Sequence, residues 1–207
     1  MELGHQFSPI KKSELPMNLE TAQATSREVS PDEFQATAAK GQARLDKMRS
    51  KSHDISALSK GLGEVTEHAY GASREEWGGA TYNPRTAKPV SFTHPDKHVL
   101  SARTAGQEPV TVPADASKEH FSAAMQQAHS TFRDQLAHSS HYLGVFHDAD
   151  KGQVEIDPVV VVGDSSGKHR QEVGQAKAQE IGAATHAVGG AYHFASGNGV
   201  FPPHVAG

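Results

Sequence analysis

Apolar residues are unevenly spread along this chain. Leu, Ile, Val and Phe together number 37 of 207, and nine of them fall between Tyr142 and Val162. That stretch reads as a hairpin: a strand over Tyr142–His147, a turn at Asp148-Ala149-Asp150-Lys151-Gly152, and a returning strand over Gln153–Val162. Pro158 falls inside the second strand, which predicts an edge position or a bend, because proline cannot donate to the ladder. Just upstream, Phe121, Met125, Ala128, Phe132 and Leu136 step by four, three, four and four. This is one apolar stripe of a helix over Ser117–His138, with Ser117 as its cap. Downstream, Gln171 to about Val188 is helical by composition and ends at Gly189-Gly190. Ala191–Ala195 is a strand, Ser196-Gly197-Asn198-Gly199 a tight turn and Val200-Phe201 a short return. The tail Pro202-Pro203-His204 is expected to leave the fold.

The N-terminal part is thinner. Residues 1–29 show no period. Ser30, Pro31 and Glu33 then mark a helix start, with a capping box and proline at the first helical position. Phe34, Ala38, Leu45 and Met48 fall near one face, and Gly41 costs the middle of the helix about 1 kcal/mol relative to Ala. So sparse a stripe needs a surface to lie on. Residues 52–63 read as a break and Glu64–Trp77 as a short helix, with Trp77 as a buried anchor. Residues 80–82 and 89–92 read as strands around a turn in which Pro84 presets the backbone. Residues 93–114 look irregular, with one short strand around Val110 and Val112. The order helix, strand, strand, helix, strand predicts an α+β fold: a small antiparallel sheet, of about three strands, packed on one or two helices. A long, largely extended or helical N-terminal arm would precede it. The expected units are residues 1–60 as a polar arm with one helix, 61–77 as a linker, and 78–207 as the domain.

Composition sharpens this picture. The four apolar types make up about 18% of the chain, under the roughly 20% at which a chain begins to look disordered. The net charge of −4 is too small to force disorder by repulsion. A small core with arms that order against partners follows. The absence of cysteine excludes disulfides and thiolate chemistry and fits a reducing compartment. Neither a signal-peptide start nor an apolar run of membrane-spanning length is visible, so a cytosolic site of synthesis or assembly is expected. Lys40, Arg44, Lys47, Arg49 and Lys51 form a basic stripe that could meet the phosphates of a nucleic acid. A solvated helix face is the preferred reading, since no aromatic residues interleave for base stacking.

Several segments imitate catalytic or metal motifs. Gly163-Asp164-Ser165-Ser166-Gly167 matches the nucleophile-elbow pattern and follows an apolar run, which makes Ser165 the one candidate nucleophile. Only 42 residues follow Ser165, too few for later strands carrying an acid and a histidine, and a polar loop capping a helix accounts for the same residues. The segment also approaches a phosphate loop, but it has one residue too few between its glycines, and His169 stands where Ser or Thr is needed. Fourteen histidines invite a metal reading. His94 and His98 are separated by Pro95, His138 and His141 sit at a helix end, and no established ligand spacing occurs. Asp148, Asp150 and Gly152 echo a calcium loop whose twelfth position is Val159 rather than Glu. No cofactor and no metal are therefore expected.

The hairpin carries a family resemblance. Tyr142, Leu143, Gly144, Phe146, Asp148, Gly152, Val154, Ile156, Asp157 and Val161-Val162, together with the upstream run Gly78-Gly79-Ala80-Thr81-Tyr82-Asn83-Pro84-Arg85-Thr86, resemble a small module of actinobacteriophage proteins. That module occurs in minor head proteins and in multidomain phage polypeptides. The resemblance covers about residues 78–201. It departs at Gly163–Gly167, where an acidic helix start is usual, and at Tyr192-His193-Phe194. The module has no catalytic motif, so no active-site residue carries over. It implies a bacteriophage protein in the virion or the host cytoplasm: a non-enzymatic minor capsid, connector or decoration component working through protein–protein contacts. Its partners would be other virion proteins or further copies of itself. A host-directed intracellular binding protein is the alternative, and a small hydrolase using Ser165 a third reading. On the first, Tyr142, Phe146, Ile156, Phe121 and Phe132 are core, and Phe34, Leu45 and Met48 face a partner.

Overall fold

The computed structural model describes residues 27–76, 78–90, 97–104, 106–163, 170–185, 191–193, 199–200 and 203–205. In chain order its elements are β1 (Glu28–Val29), α1 (Pro31–Arg49), α2 (Ser56–Ala72), β2 (Gly79–Asn83), β3 (Lys88–Pro89), β4 (His98–Ser101), β5 (Val110–Pro113), α3 (Lys118–Thr131), α4 (Arg133–Leu136), β6 (His141–Asp148), β7 (Gln153–Val162), α5 (Arg170–Thr185), β8 (Ala191–His193), β9 (Gly199–Val200) and β10 (His204–Val205). The fold is α+β, as its sequence predicts. Among the described residues the antiparallel sheet has eight strands rather than three, in the order β3-β2-β6-β7-β4-β8-β9, with β5 also on β7. Separately, β1 and β10 pair in parallel, so the tail at His204 is tied to the fold instead of leaving it.

The β6–β7 hairpin forms the middle of the sheet. β6 pairs with β7 along its whole length, from His141 opposite Val160 to Asp148 opposite Gln153. The other edge of β7 is shared: β5 lies against Gln153–Ile156 and β4 against Val159–Val162. Here the expectation for Pro158 needs correcting, since β7 is central. The amide of Ala102 donates to the Pro158 carbonyl (2.8 Å). The absent N–H of Pro158 points the same way, toward Ala102, the residue just past the end of β4. The Ala102 carbonyl accepts instead from the Arg49 guanidinium (3.3 Å), so a central proline leaves no acceptor unserved there.

Helices cover one face of the sheet in two patches. Over the first half of β7, α2 and α3 close a cluster of Leu58, Val65, Phe121, Met125, Phe132, Leu136, Leu143, Val154 and Ile156 with neighbours. The whole apolar stripe of the predicted helix, Phe121, Met125, Ala128, Phe132 and Leu136, is fully buried, although the helix breaks at Phe132 into α3 and α4. Tyr142 and Phe146 are exceptions among the expected core residues. They alternate with His141, Leu143 and Val145 along β6 and so stand on the opposite face, half-buried. α2 begins at Ser56, eight residues before the predicted start. Asp54 accepts hydrogen bonds there from the Ser56 amide (2.8 Å) and hydroxyl (2.7 Å). Trp77 lies outside the described residues.

Over the second half of β7, α1 and α5 close a smaller cluster: Leu45, Leu100, Ala102, Val160, Val162, Ala178 and Ile181. The predicted cap of α1 is present, with the Ser30 hydroxyl accepting from the Glu33 amide (3.2 Å). The surface this helix needs is α5 of its own chain. Leu45 is 1% exposed and Met48 packs on the same cluster. Both are therefore corrected from partner-facing to internal, and residues 27–60 are corrected from a separate arm to part of the fold. Gly41 faces α5 so closely that a Cβ there would overlap the Glu180 carbonyl, so its lack of a side chain sets the helix–helix distance. Phe34 is half-buried near the start of the same interface.

Candidate functional site

Two polar clusters are built into the second half of the fold. The first centres on Asp157, the buried carboxylate of β7. Its side chain accepts from the Ser101 hydroxyl (2.5 Å) and pairs with the Arg103 guanidinium (3.1 Å). Arg103 in turn donates to Ser101 (2.8 Å) and to the Gln107 carbonyl (3.0 Å). Burial pushes the Asp157 carboxyl up to about 6, against the opposing pull of Ser101 and Arg103. This arrangement pins the β4–β5 connection at the point where both strands leave β7. Every group in it is already bonded, so it reads as a clasp rather than a reacting centre. The sequence signal was available, since a lone acid between Ile156 and Pro158 in an apolar strand needs a partner.

The second cluster holds His53, His138 and His141. Segment 50–55 runs beside residues 137–139: the His53 amide donates to the Ala137 carbonyl and the Ser139 amide to the Lys51 carbonyl, both at 2.8 Å. This stitching brings His53 and His138 to His141, which is 1% exposed. The His138 and His141 rings are 5.4 Å apart. Burial, reinforced by His138, Arg49 and His53, pushes the His141 imidazole down to about 3. Spacing alone identified the His138/His141 pair but missed His53, which lies 85 residues before His138.

A third arrangement pairs the Ser59 hydroxyl on α2 with His129 Nε2 on α3 (3.0 Å). Burial and then Arg133 hold His129 below the usual histidine range. Ser59 is exposed on a helix surface, and the pair serves as a helix–helix contact.

The sequence-singled residues are dispersed. Ser165, His94 and His169 lie outside the described residues. His147 bonds the Glu75 carbonyl through Nδ1 (2.9 Å). Asp148 and Glu155 share Lys151, each at 2.9 Å, which accounts for the acidic turn as a hairpin device. The basic stripe is divided. Arg44 pairs with Glu180 and Arg49 donates to the Ala102 carbonyl (3.3 Å), while Lys40, Lys47 and Lys51 are exposed. Among the described residues no three His, Asp or Glu side chains are placed to hold a metal ion, and no helix is long and apolar enough to cross a membrane. Comparison with protein-family models, with curated proteins and with solved structures gave no match.

Proposed function

We propose that this chain is a non-enzymatic structural or accessory protein of a bacteriophage particle, a minor capsid, connector or decoration component that acts by protein–protein contacts. One observation carries the reading: the residues of the phage-module resemblance are spent on making the fold. Leu143, Val154 and Ile156 are core residues of the central hairpin. Gly152 takes the positive φ of its turn (62°). A Cβ at Gly144 would collide with Val159, and Asp157 is held by Ser101 and Arg103. A module whose characteristic residues are used in this way supplies a scaffold, and its work lies at its surfaces. Its partners are then other virion proteins or further copies of the chain.

Quantitative mass spectrometry of purified particles encoded by the same genome tests this. A stoichiometry on the order of hundreds of copies means a shell or decoration role, and about a dozen means the portal or tail junction, following the symmetry of those assemblies. Absence from the particle removes the virion reading and favours a host-directed intracellular binding protein. A fluorophosphonate probe that labels the wild type but not Ser165→Ala would instead establish a hydrolase.

A further inference from the structure

His141 sits where the two core clusters meet. Its strand neighbour on the same face, Leu143, belongs to the first cluster, and its cross-strand partner Val160 to the second. Five ring nitrogens converge on this seam without a hydrogen-bond partner among the described residues: both of His53, Nδ1 of His138 and both of His141. Buried polar atoms in this condition are uncommon, and several at one place call for an explanation.

We propose that His53, His138 and His141 form an acid-operated latch. As neutral imidazoles they close the seam between the two core halves. Protonation of His141 and His53 releases the last turn of α1 and residues 50–53 from the 137–141 segment, while the α2–α3 half stays folded.

The surroundings make protonation unfavourable in the closed form. The charged and titratable groups acting on His141 are His138 from the 137–140 turn, Arg49 from α1 and His53 from segment 50–55, all of which oppose a proton. Those acting on His53 are Arg85 from the β2–β3 turn and His138, which oppose it, and Asp54, which favours it. Asp54 is already engaged by Ser56. From the sheet, β6 and β7 present apolar Leu143 and Val160. A protonated His141 would be a buried cation with no carboxylate beside it, the least favourable state for such a group.

The sign follows from linkage. In an unfolded or opened chain these histidines take up protons near the ordinary value of 6.5, whereas in the closed form His141 refuses one until about 3. The open form thus binds more protons as pH falls below 6.5, and closure weakens progressively from there. Opening is local because residues 50–53, which stop short of the Ile55 anchor in the larger cluster, are held across the seam by a few backbone bonds, so they can separate before that cluster does.

The test is hydrogen exchange of the full chain at about pH 7 and about pH 5, corrected for intrinsic exchange rates. In the wild type, peptides covering residues 45–55 and 137–143 are expected to lose protection by about tenfold or more at the lower pH, while α2 and α3 keep theirs. His141→Leu removes the buried base and should abolish the acid-induced loss. His53→Asn, at a half-buried position that tolerates a polar replacement, should reduce it and keeps the test open if His141→Leu does not fold. Equal protection at both pH values overturns the latch. So does an acid-induced loss that persists unchanged in these variants, or an NMR titration in which His141 protonates near 6.5 with the seam still closed.

Discussion

Over the first half of β7 the sheet meets Leu58, Phe121, Met125, Phe132 and Leu136, all fully buried. Over the second half it meets Leu45, Ala178 and Ile181, a smaller and more shallowly branched set. The first patch is apolar throughout and rests on helices with a clear stripe. The second combines small residues, a close helix crossing at Gly41 and a buried histidine, with the buried carboxylate of Asp157 on the reverse face of the same strand. Its two helices come from distant parts of the chain, as the Arg44–Glu180 pair shows, its members standing 136 positions apart. The difference teaches that one sheet face can carry a half set by local pattern and a half set by long-range fit. The second half is where charge and protonation can act on the fold.

Removing α1 is the harshest way to break that comparison. Deletion of residues 1–50 takes away Leu45, whose burial alone is worth about 2–3 kcal/mol, out of the roughly 5–15 kcal/mol of a typical domain. We expect the α5 side to lose cooperative structure while α2, α3 and the hairpin retain theirs, read residue by residue in NMR spectra. Unchanged shifts for Leu100, Val160 and Ile181 would mean that α1 is the dispensable arm its sequence suggests.

Gly41→Ala sharpens the contrast by its sign. Helix propensity predicts a gain of about 1 kcal/mol. Overlap with the Glu180 backbone, which cannot rotate away, predicts a net loss of about 1–3 kcal/mol. Urea denaturation decides between them, and a stabilised variant would show that the α1–α5 crossing is looser than described.

The last contrast concerns Asp157 and is read as a slope with pH. Its folded-state value is raised to about 6 from an ordinary 3.8. The folded protein therefore binds the extra proton between those values, and this group's contribution to stability falls as pH rises through that window. Asp157→Asn removes that slope. The stability difference between variant and wild type should grow by up to about 3 kcal/mol from pH 4 to above pH 6, at ~1.4 kcal/mol per pH unit. A difference independent of pH would mean that Arg103 and Ser101 keep the carboxylate charged throughout.

Legibility in the sequence tracked locality. The α3–α4 stripe, the Ser30 cap and the hairpin with its Gly152 turn were readable because each depends on residues within about one or two turns. β4 was not readable, since four residues between prolines carry little period. His53 was missed because its partners lie in another part of the chain, and Ser165 and Trp77 fall outside the described residues.

By itself the sequence determined the α+β class, the central hairpin and the face that the α3 stripe would bury. Alternation and the 3.6-residue period fix which side chains share a side before any partner is chosen. Only the tertiary structure decided that Leu45 and Met48 turn inward, that Gly41 is a spacer, that Pro158 sits mid-sheet with Arg49 serving the carbonyl opposite it, and that Asp157 finds Ser101 56 residues away. Each of these depends on which distant segment arrives at a given surface, and a thin apolar stripe or a lone buried charge is compatible with many partners until one is in place.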